Sequence, residues 1–239
     1  MSEKPVTDKD RLIVALLSES MKDAETMVKL LKEEVHTFEI GIPTYTALGP
    51  DVIKMVHGHG CRVFLDLKYH DIPSTVAKAV GVATKLGVAM LNVHAAGGHE
   101  MLVRSVESAQ HAAGSKSKMP KLFAVTVLTS MESLGDIGIQ FEVREQVVRL
   151  AKLSKDSGLH GVIASPLEIQ PIRKACGDKF LIVTPGVRPL GSAALDQRRI
   201  SSPIMAIAAG ADYLVIGRPV VEAKDPRAVV RQILKEISE

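Results

Sequence analysis

The chain has 239 residues, of which 46% are hydrophobic and 24% charged, the ordinary balance of a soluble globular protein large enough for one sizeable domain. The formal net charge of +3 is too small to favour nucleic-acid binding, and no apolar run approaches the ~20 residues of a membrane-spanning helix. The polar start of the chain predicts no secretory signal. We therefore expect a cytoplasmic protein that binds neither nucleic acid nor membrane, with reduced thiols at Cys61 and Cys176 and a loosely ordered segment over residues 1–10.

Eight short apolar segments, rich in Val, Ile and Leu and bounded by Gly, Pro or polar residues, predict buried strands. They cover residues 12–16, 37–40, 62–67, 90–94, 122–128, 161–165, 180–184 and 213–217.

The stretches between these strands have helical periodicity, and glycines follow several of them where a helix would end. The predicted helices cover residues 23–35, 46–58, 75–86, 98–112, 141–157, 167–176, 203–209 and 225–237. Eight strand–helix units predict an α/β protein with one domain, a (β/α)8 TIM barrel spanning residues 1–239. A doubly wound open sheet is the competing fold, but its Gly-rich first turn is missing, since residues 15–23 read ALLSESMKD.

The third predicted strand ends in a cluster of charges, in the stretch FLDLKYHDIPST over residues 64–75. Asp66 and Lys68 alternate with apolar residues, so both should point into the barrel at its carboxyl end, where catalytic groups of such barrels gather. Asp71 follows on the loop. A lysine flanked by two carboxylates is favoured in its charged form and suits a proton donor to a carbanion. The alternative is a solvated ion-pair cluster at a strand end.

Two segments near the C-terminus each end an apolar strand with a glycine and an arginine. They are VTPGVRP (183–189), which contains Arg188, and YLVIGRPV (213–220), which contains Gly217 and Arg218. Glycine lets backbone N–H groups approach an anion, and arginine matches phosphate with a forked set of donors. The segments follow strands seven and eight, where barrels of this kind often bind phosphate. The alternative is a pair of ordinary turns with surface arginines.

With both motifs placed, the chain resembles the orotidine 5′-phosphate decarboxylases. The resemblance covers about residues 10–235 and rests on five segments in order: FLDLKYHDIPST, NVHAAGG, AVTVLTSM, LIVTPGVRP and AIAAGADYLVIGRPV. It implies a homodimeric (β/α)8 barrel, a lyase of UMP biosynthesis that converts orotidine 5′-phosphate to UMP and CO2 without cofactor or metal.

The resemblance also implies roles for individual residues. Lys68 would protonate the C6 carbanion, with Asp66 beside the departing carboxylate. Asp71 and Thr75 would reach into the partner subunit's site and contact the ribose. The base region would be contacted by Thr129, and the 5′-phosphate would be held by Arg188, Gln197, Gly217 and Arg218.

Two positions depart from the family pattern. The first strand ends in Leu17, where the family has an aspartate that binds the ribose, and the second strand carries Glu39, where the family has a lysine. The charges of the family's Lys-Asp-Lys-Asp array sum to zero, whereas Glu39, Asp66, Lys68 and Asp71 would sum to −2. Since one extra like-charge contact at 4 Å costs about 4 kcal/mol at an effective dielectric near 20, Glu39 must be protonated, be turned away or have a cation nearby.

These departures leave two further hypotheses open. In one, Glu39 and Asp66 bind Mg²⁺, as in the related 3-keto-L-gulonate 6-phosphate decarboxylases and hexulose-phosphate synthases, and the chain is a decarboxylase or aldolase of a sugar phosphate. In the other, the barrel binds a nucleotide or phosphate but has no catalytic activity.

Overall fold

Eight parallel strands alternate with helices and close into a barrel in which β1 pairs with both β2 and β8. The computed structural model describes residues 7–115, 118–188 and 201–238. The strands are β1 Leu12–Leu16, β2 Thr37–Gly41, β3 Arg62–Tyr69, β4 Met90–His94, β5 Lys121–Val125, β6 Gly161–Ile163, β7 Leu181–Pro185 and β8 Tyr213–Ile216. The predicted (β/α)8 barrel is therefore confirmed.

The helices lie around the outside of the barrel. They are α1 Asp8–Arg11, α2 Met21–Leu31, α3 Ile42–Leu48, α4 Asp51–Gly58, α5 Pro73–Lys85, α6 Gly98–Ala113, α7 Val143–Asp156, α8 Ile169–Cys176, α9 Pro203–Ala208, α10 Arg218–Val221 and α11 Pro226–Ser238. Within the described ranges, none of them is long and apolar enough to cross a membrane.

The predicted helix over residues 46–58 is in fact two helices, α3 and α4. Gly49 adopts a positive φ of 61°, and Pro50, which lacks a backbone N–H, follows it. Both features end a helix, because the left-handed conformation breaks the hydrogen-bond pattern and proline cannot continue it. The sequence analysis predicted one helix here because the helical periodicity of the apolar residues continues across the break.

Side chains of the strands alternate between two apolar layers, as the pleat requires. One layer, which includes Val14, Phe38 and Leu65, packs against the helices. The other fills the barrel interior and consists of Ile13, Ala15, Phe64, Met90, Phe123, Val125, Ile163, Leu181, Val183, Tyr213 and Val215. Polar side chains that extend this inner row toward the carboxyl ends of the strands must therefore face the barrel mouth.

The N-terminal segment is helical from Asp8. Thr7 caps α1 in a capping box with Asp10, and Asp10 also accepts hydrogen bonds from His36 and Arg62 at the amino ends of β2 and β3. Partial burial raises the pKa of Asp10, but its hydrogen bonds with these three partners and the charge of Arg62 together lower it well below its usual range. Residues 7–10 of the segment predicted to be loosely ordered are thus fixed to the barrel, whereas residues 1–6 lie outside the described part of the chain.

Candidate active site

The structure brings together two of the three charged residues at the end of β3. The ammonium Nζ of Lys68 donates to Oδ2 of Asp66 at 2.7 Å, and both side chains are partly buried. Phe64 lies in the interior layer one step below Asp66. The predicted pair of Asp66 and Lys68 at the carboxyl end of the barrel is therefore present as an ion pair.

A β-bulge in β3 separates this pair from the regular sheet. Leu65 pairs with Leu91 of β4, and Tyr69 pairs with Val93, so three residues of β3 lie opposite the single residue Asn92. Lys68 has a φ of 49°, the one positive φ among the described residues other than glycine. Side chains rarely adopt this left-handed region outside turns and functional sites.

Asn92 is a site residue that the sequence analysis missed. It is fully buried, its Nδ2 donates to Oδ1 of Asp66, and its Oδ1 accepts the backbone N–H of Lys68 at 2.8 Å. A signal was present in the segment MLNVH, because an amide two residues after Met90 interrupts an apolar strand on the face that points inward.

Glu39 lies within the same cluster. It is 9% exposed, and its Cα pairs with Ala15 on one side and Phe64 on the other. A Cβ placed on Gly41, the residue that pairs with Asp66, would lie 3.6 Å from Oε1 of Glu39, so this carboxyl reaches toward the level of Asp66.

The surroundings of the Glu39 carboxyl favour its neutral form. Burial raises the pKa of Glu39 well above its usual range, and the charge of Asp66 and a hydrogen bond with it raise it further, while Lys68 acts in the opposite direction. Of the three arrangements that the charge count allowed, the raised pKa of Glu39 favours the protonated one. Counting Glu39 as neutral, the charges of the four groups sum to −1 rather than −2.

Mg²⁺ would find few protein ligands in this arrangement. N–H donors from Lys68 and Asn92 already hydrogen bond to the two oxygens of Asp66, so a metal ion would have to compete with the ammonium of Lys68 for that carboxylate. In the described ranges, no group of three or more His, Cys, Asp or Glu residues could hold a metal ion.

Leu17 lies at the barrel mouth directly after β1. It is 53% exposed, and its Cδ1 lies 3.3 Å from the position that a Cβ on Gly217 would take. At this position, where the resemblance implies an aspartate, Leu17 therefore presents an apolar surface next to Gly217, one of the predicted phosphate-binding residues.

A stacked pair of histidines flanks the lysine. The rings of His70 and His94 lie 4.9 Å apart at an interplanar angle of 14°. Burial lowers the pKa of His94, and His70 and Lys68 lower it further. The lowered pKa favours the neutral form of His94, whose Nδ1 accepts the backbone N–H of Ala96.

Asp71 and Thr75 stand apart from the Lys68–Asp66 pair. Both are exposed, and they flank Pro73, the first residue of α5. Oδ1 of Asp71 accepts the backbone N–H of Ile72 at 2.6 Å. The spacing of Asp66, Lys68 and Asp71 predicted a lysine flanked by two carboxylates. Within one chain, Lys68 instead pairs with Asp66 alone.

The predicted base and phosphate residues follow β5, β7 and β8 at the same end of the barrel. Thr129 is half-buried after β5, Arg188 is buried after β7, and its backbone N–H donates to Ser201. Gly217 and Arg218 are half-buried and lie at the start of α10. Gln197 lies outside the described residues.

Comparison with known proteins gives consistent matches over nearly the whole chain. The model of the Orotidine 5′-phosphate decarboxylase / HUMPS family matches residues 10–233. The orotidine 5′-phosphate decarboxylase of Trichlorobacter lovleyi is 48% identical over 231 residues, covering 96% of this chain and 95% of the relative. That of Moorella thermoacetica is 48% identical over 233 residues, covering 96% and 92%. The crystal structure of orotidine 5′-phosphate decarboxylase from Lactobacillus acidophilus superposes with a TM-score of 0.85 at 34% identity, covering 99% of this chain and 100% of that one.

Proposed function

This chain belongs to the Orotidine 5′-phosphate decarboxylase / HUMPS family, and we propose on that premise that it converts orotidine 5′-phosphate to UMP and CO2. The observation that carries the proposal is the 2.7 Å ion pair between Lys68 and Asp66 at the carboxyl end of β3. It supports the proposal because a lysine ammonium beside a carboxylate, at the end of the barrel where such folds bind substrate, is suited to donate a proton.

In the proposed reaction, the bond between C6 and the carboxylate carbon breaks and CO2 leaves. The electron pair of that bond stays on C6, where the ammonium of Lys68 stabilises the developing negative charge. Lys68 then delivers one proton to C6 and recovers a proton from solvent. Asp66 orients the ammonium and repels the substrate carboxylate, a repulsion that ends when CO2 leaves.

The proposed substrate orientation follows from the positions of the remaining residues. Arg188, Gly217 and Arg218 follow the neighbouring strands β7 and β8, and with Gln197 they would bind the 5′-phosphate. Thr129 would contact the base. Because all these strands end at the same mouth of the barrel as β3, a ligand held by its phosphate would extend its other end toward the ion pair.

We propose a homodimer in which Asp71 and Thr75 contact the ribose in the partner subunit's site. The exposure of both side chains supports this assignment, as does Ile72 beside them, an apolar side chain that is 64% exposed. A partner that covers Ile72 would remove this apolar surface from water.

We propose that the reaction needs neither metal nor cofactor and takes place in the cytoplasm as part of UMP biosynthesis. The hydrogen bonds that both oxygens of Asp66 accept and the raised pKa of Glu39 support the metal-free mechanism. Cys61 and Cys176, which are buried and unpaired, suit a reducing compartment.

The test is decarboxylation of orotidine 5′-phosphate followed by ultraviolet absorbance, run in parallel with Mg²⁺ and with EDTA. We expect turnover that EDTA leaves intact and that Lys68→Ala abolishes, while Lys54→Ala, which changes an exposed lysine on α4, retains it. Turnover lost on addition of EDTA would point instead to the metal-dependent reaction. UMP binding without turnover in either condition would identify a non-catalytic barrel.

A further inference from the structure

The bulge in β3 deprives Lys68 of an ordinary partner in the sheet. Between the pairs Leu65–Leu91 and Tyr69–Val93, β4 offers only Asn92 opposite three residues of β3. A buried backbone N–H needs an acceptor. The side-chain Oδ1 of Asn92 supplies it, accepting the N–H of Lys68 at 2.8 Å.

The same amide also fixes the carboxylate of Asp66. Nδ2 of Asn92 donates to Oδ1 of Asp66, which leaves Oδ2 as the oxygen that accepts the ammonium of Lys68 at 2.7 Å. One side chain therefore determines both the backbone conformation of the lysine and the orientation of its counter-ion. Since Asn92 is fully buried, its influence on a ligand at the barrel mouth is exerted through Lys68 and Asp66.

We propose that Asn92 is the positioning residue of this site, holding Lys68 in its left-handed conformation and turning Asp66 so that the ammonium faces the barrel mouth. The kinetic consequence rests on the proposed decarboxylation, whereas the structural role does not. Asn92 is well placed for this task, because β4 is paired on both sides and holds it rigidly.

The structural test is a crystal structure of Asn92→Leu, which has the same number of side-chain heavy atoms and the same branching at Cγ, is bulkier, and offers neither donor nor acceptor. We expect the φ of Lys68 to leave the left-handed region and its Nζ to move beyond hydrogen-bond reach of Oδ2 of Asp66. If both stay as they are, the proposal is overturned. Asn92→Asp provides a second variant should Asn92→Leu fail to fold. It keeps an acceptor for the N–H of Lys68 but loses the donor to Asp66, so we expect it to retain the bulge and to displace Asp66.

The kinetic test separates positioning from general destabilisation. Because a displacement of about 1 Å in a reacting group can cost roughly 100-fold in rate, we expect kcat of both variants to fall by about that factor while KM and UMP affinity change little. The matched control is Thr126→Val, which removes a different buried side-chain hydrogen bond, to Ile163 O at 3.0 Å. We expect this control to retain kcat.

The outcomes distinguish the two proposals. Equal losses of kcat in Asn92→Leu and Thr126→Val would reduce Asn92 to a packing role and contradict the positioning proposal. Absence of turnover in the unmodified protein would contradict the proposed function, and the crystal structures of the variants would then decide the role of Asn92 alone.

Discussion

At the scale of single residues, Glu39 is a buried acid at the position where the resemblance to the family implies a lysine. Ionised, it would add a second negative charge beside Asp66. Protonated, it is a neutral group that hydrogen bonds Asp66, and it adds no negative charge beside that carboxylate. We therefore expect Glu39 to affect both the pH dependence of the free energy of unfolding and the rate of the reaction.

Glu39→Gln should stabilise the protein at neutral pH. The pKa of Glu39 is raised in the folded chain above its usual 4.5. Below pH 4.5, Glu39 is therefore protonated in both the folded and the unfolded chain and does not lower the free energy of unfolding. As the pH rises further, the unfolded chain releases the proton first, and the free energy of unfolding falls by about 1.4 kcal/mol per pH unit until the pH passes the folded pKa. The glutamine variant has no such loss, because its amide does not titrate.

Urea denaturation of both proteins between pH 4 and 8 measures this effect. We expect the difference in unfolding free energy to be small near pH 4 and to widen with rising pH. Glu107→Gln, a change at an exposed position on α6, serves as the control and should give no widening gap. A constant difference across the pH range would show that Glu39 titrates normally.

The double change Glu39→Lys with Leu17→Asp should raise the rate of decarboxylation. Together these changes restore a cation beside Asp66 and a polar group beside Gly217, where Leu17 now presents an apolar surface. Since a hydrogen bond to a charged group contributes about 1.5–3 kcal/mol, we expect kcat/KM to increase roughly 10- to 100-fold. Each single change is the control for the other, and no gain from the pair would argue against a decarboxylase hampered by these two residues.

At the scale of secondary structure, periodicity predicted the barrel, because buried parallel strands and amphipathic helices have different apolar repeats. Asp66 and Lys68 lie together as predicted, but the strand alternation behind that prediction does not extend to Lys68, because this residue lies in the bulge with a positive φ. Asn92 was missed because its role depends on a bulge, and a bulge is a mismatch between two strands that neither strand's sequence reveals. The protonation of Glu39 was left open because it depends on burial and on the distance to Asp66.

One ion pair should dominate the attachment of α8 to the barrel. Arg173 donates to Gly210 O at 2.6 Å, to Phe180 O and to Asp212, whose Oδ2 also accepts the N–H of Ile182. The side chains of Arg173 and Asp212 are only 10% and 5% exposed. Removing one partner of a buried pair leaves an uncompensated charge, so we expect Arg173→Met to lower the free energy of unfolding by about 3–5 kcal/mol.

The matched control is Arg149→Met on α7. Arg149 pairs with Glu145 one helical turn away, and both side chains are more than half exposed. Exposed pairs of this kind contribute about 0–1 kcal/mol, so chemical denaturation should detect little change. Similar losses from the two substitutions would show that burial does not set the strength of the Arg173–Asp212 pair.

At the scale of the whole molecule, the proposed dimer makes each site a product of two chains. Lys68 and Asp66 lie at the end of β3, and Asp71 and Thr75 are exposed beside the start of α5. If Asp71 completes the partner's site, then Lys68→Ala and Asp71→Asn affect one and the same site from different subunits. Both variants should be nearly inactive alone, and mixing them after joint unfolding and refolding should restore activity.

The amount of restored activity follows from the symmetry of the dimer. With equal amounts of the two variants, half of the dimers are mixed, and each mixed dimer has one intact site, which combines Lys68 of one chain with Asp71 of the other. We therefore expect about a quarter of the activity of the unmodified protein. If Asp71 instead acted on Lys68 of its own chain, both sites of every mixed dimer would carry a substitution, and mixing would restore nothing. Mixing Lys68→Ala with Asp66→Asn is the control, because these residues share a chain and a site and should not complement each other.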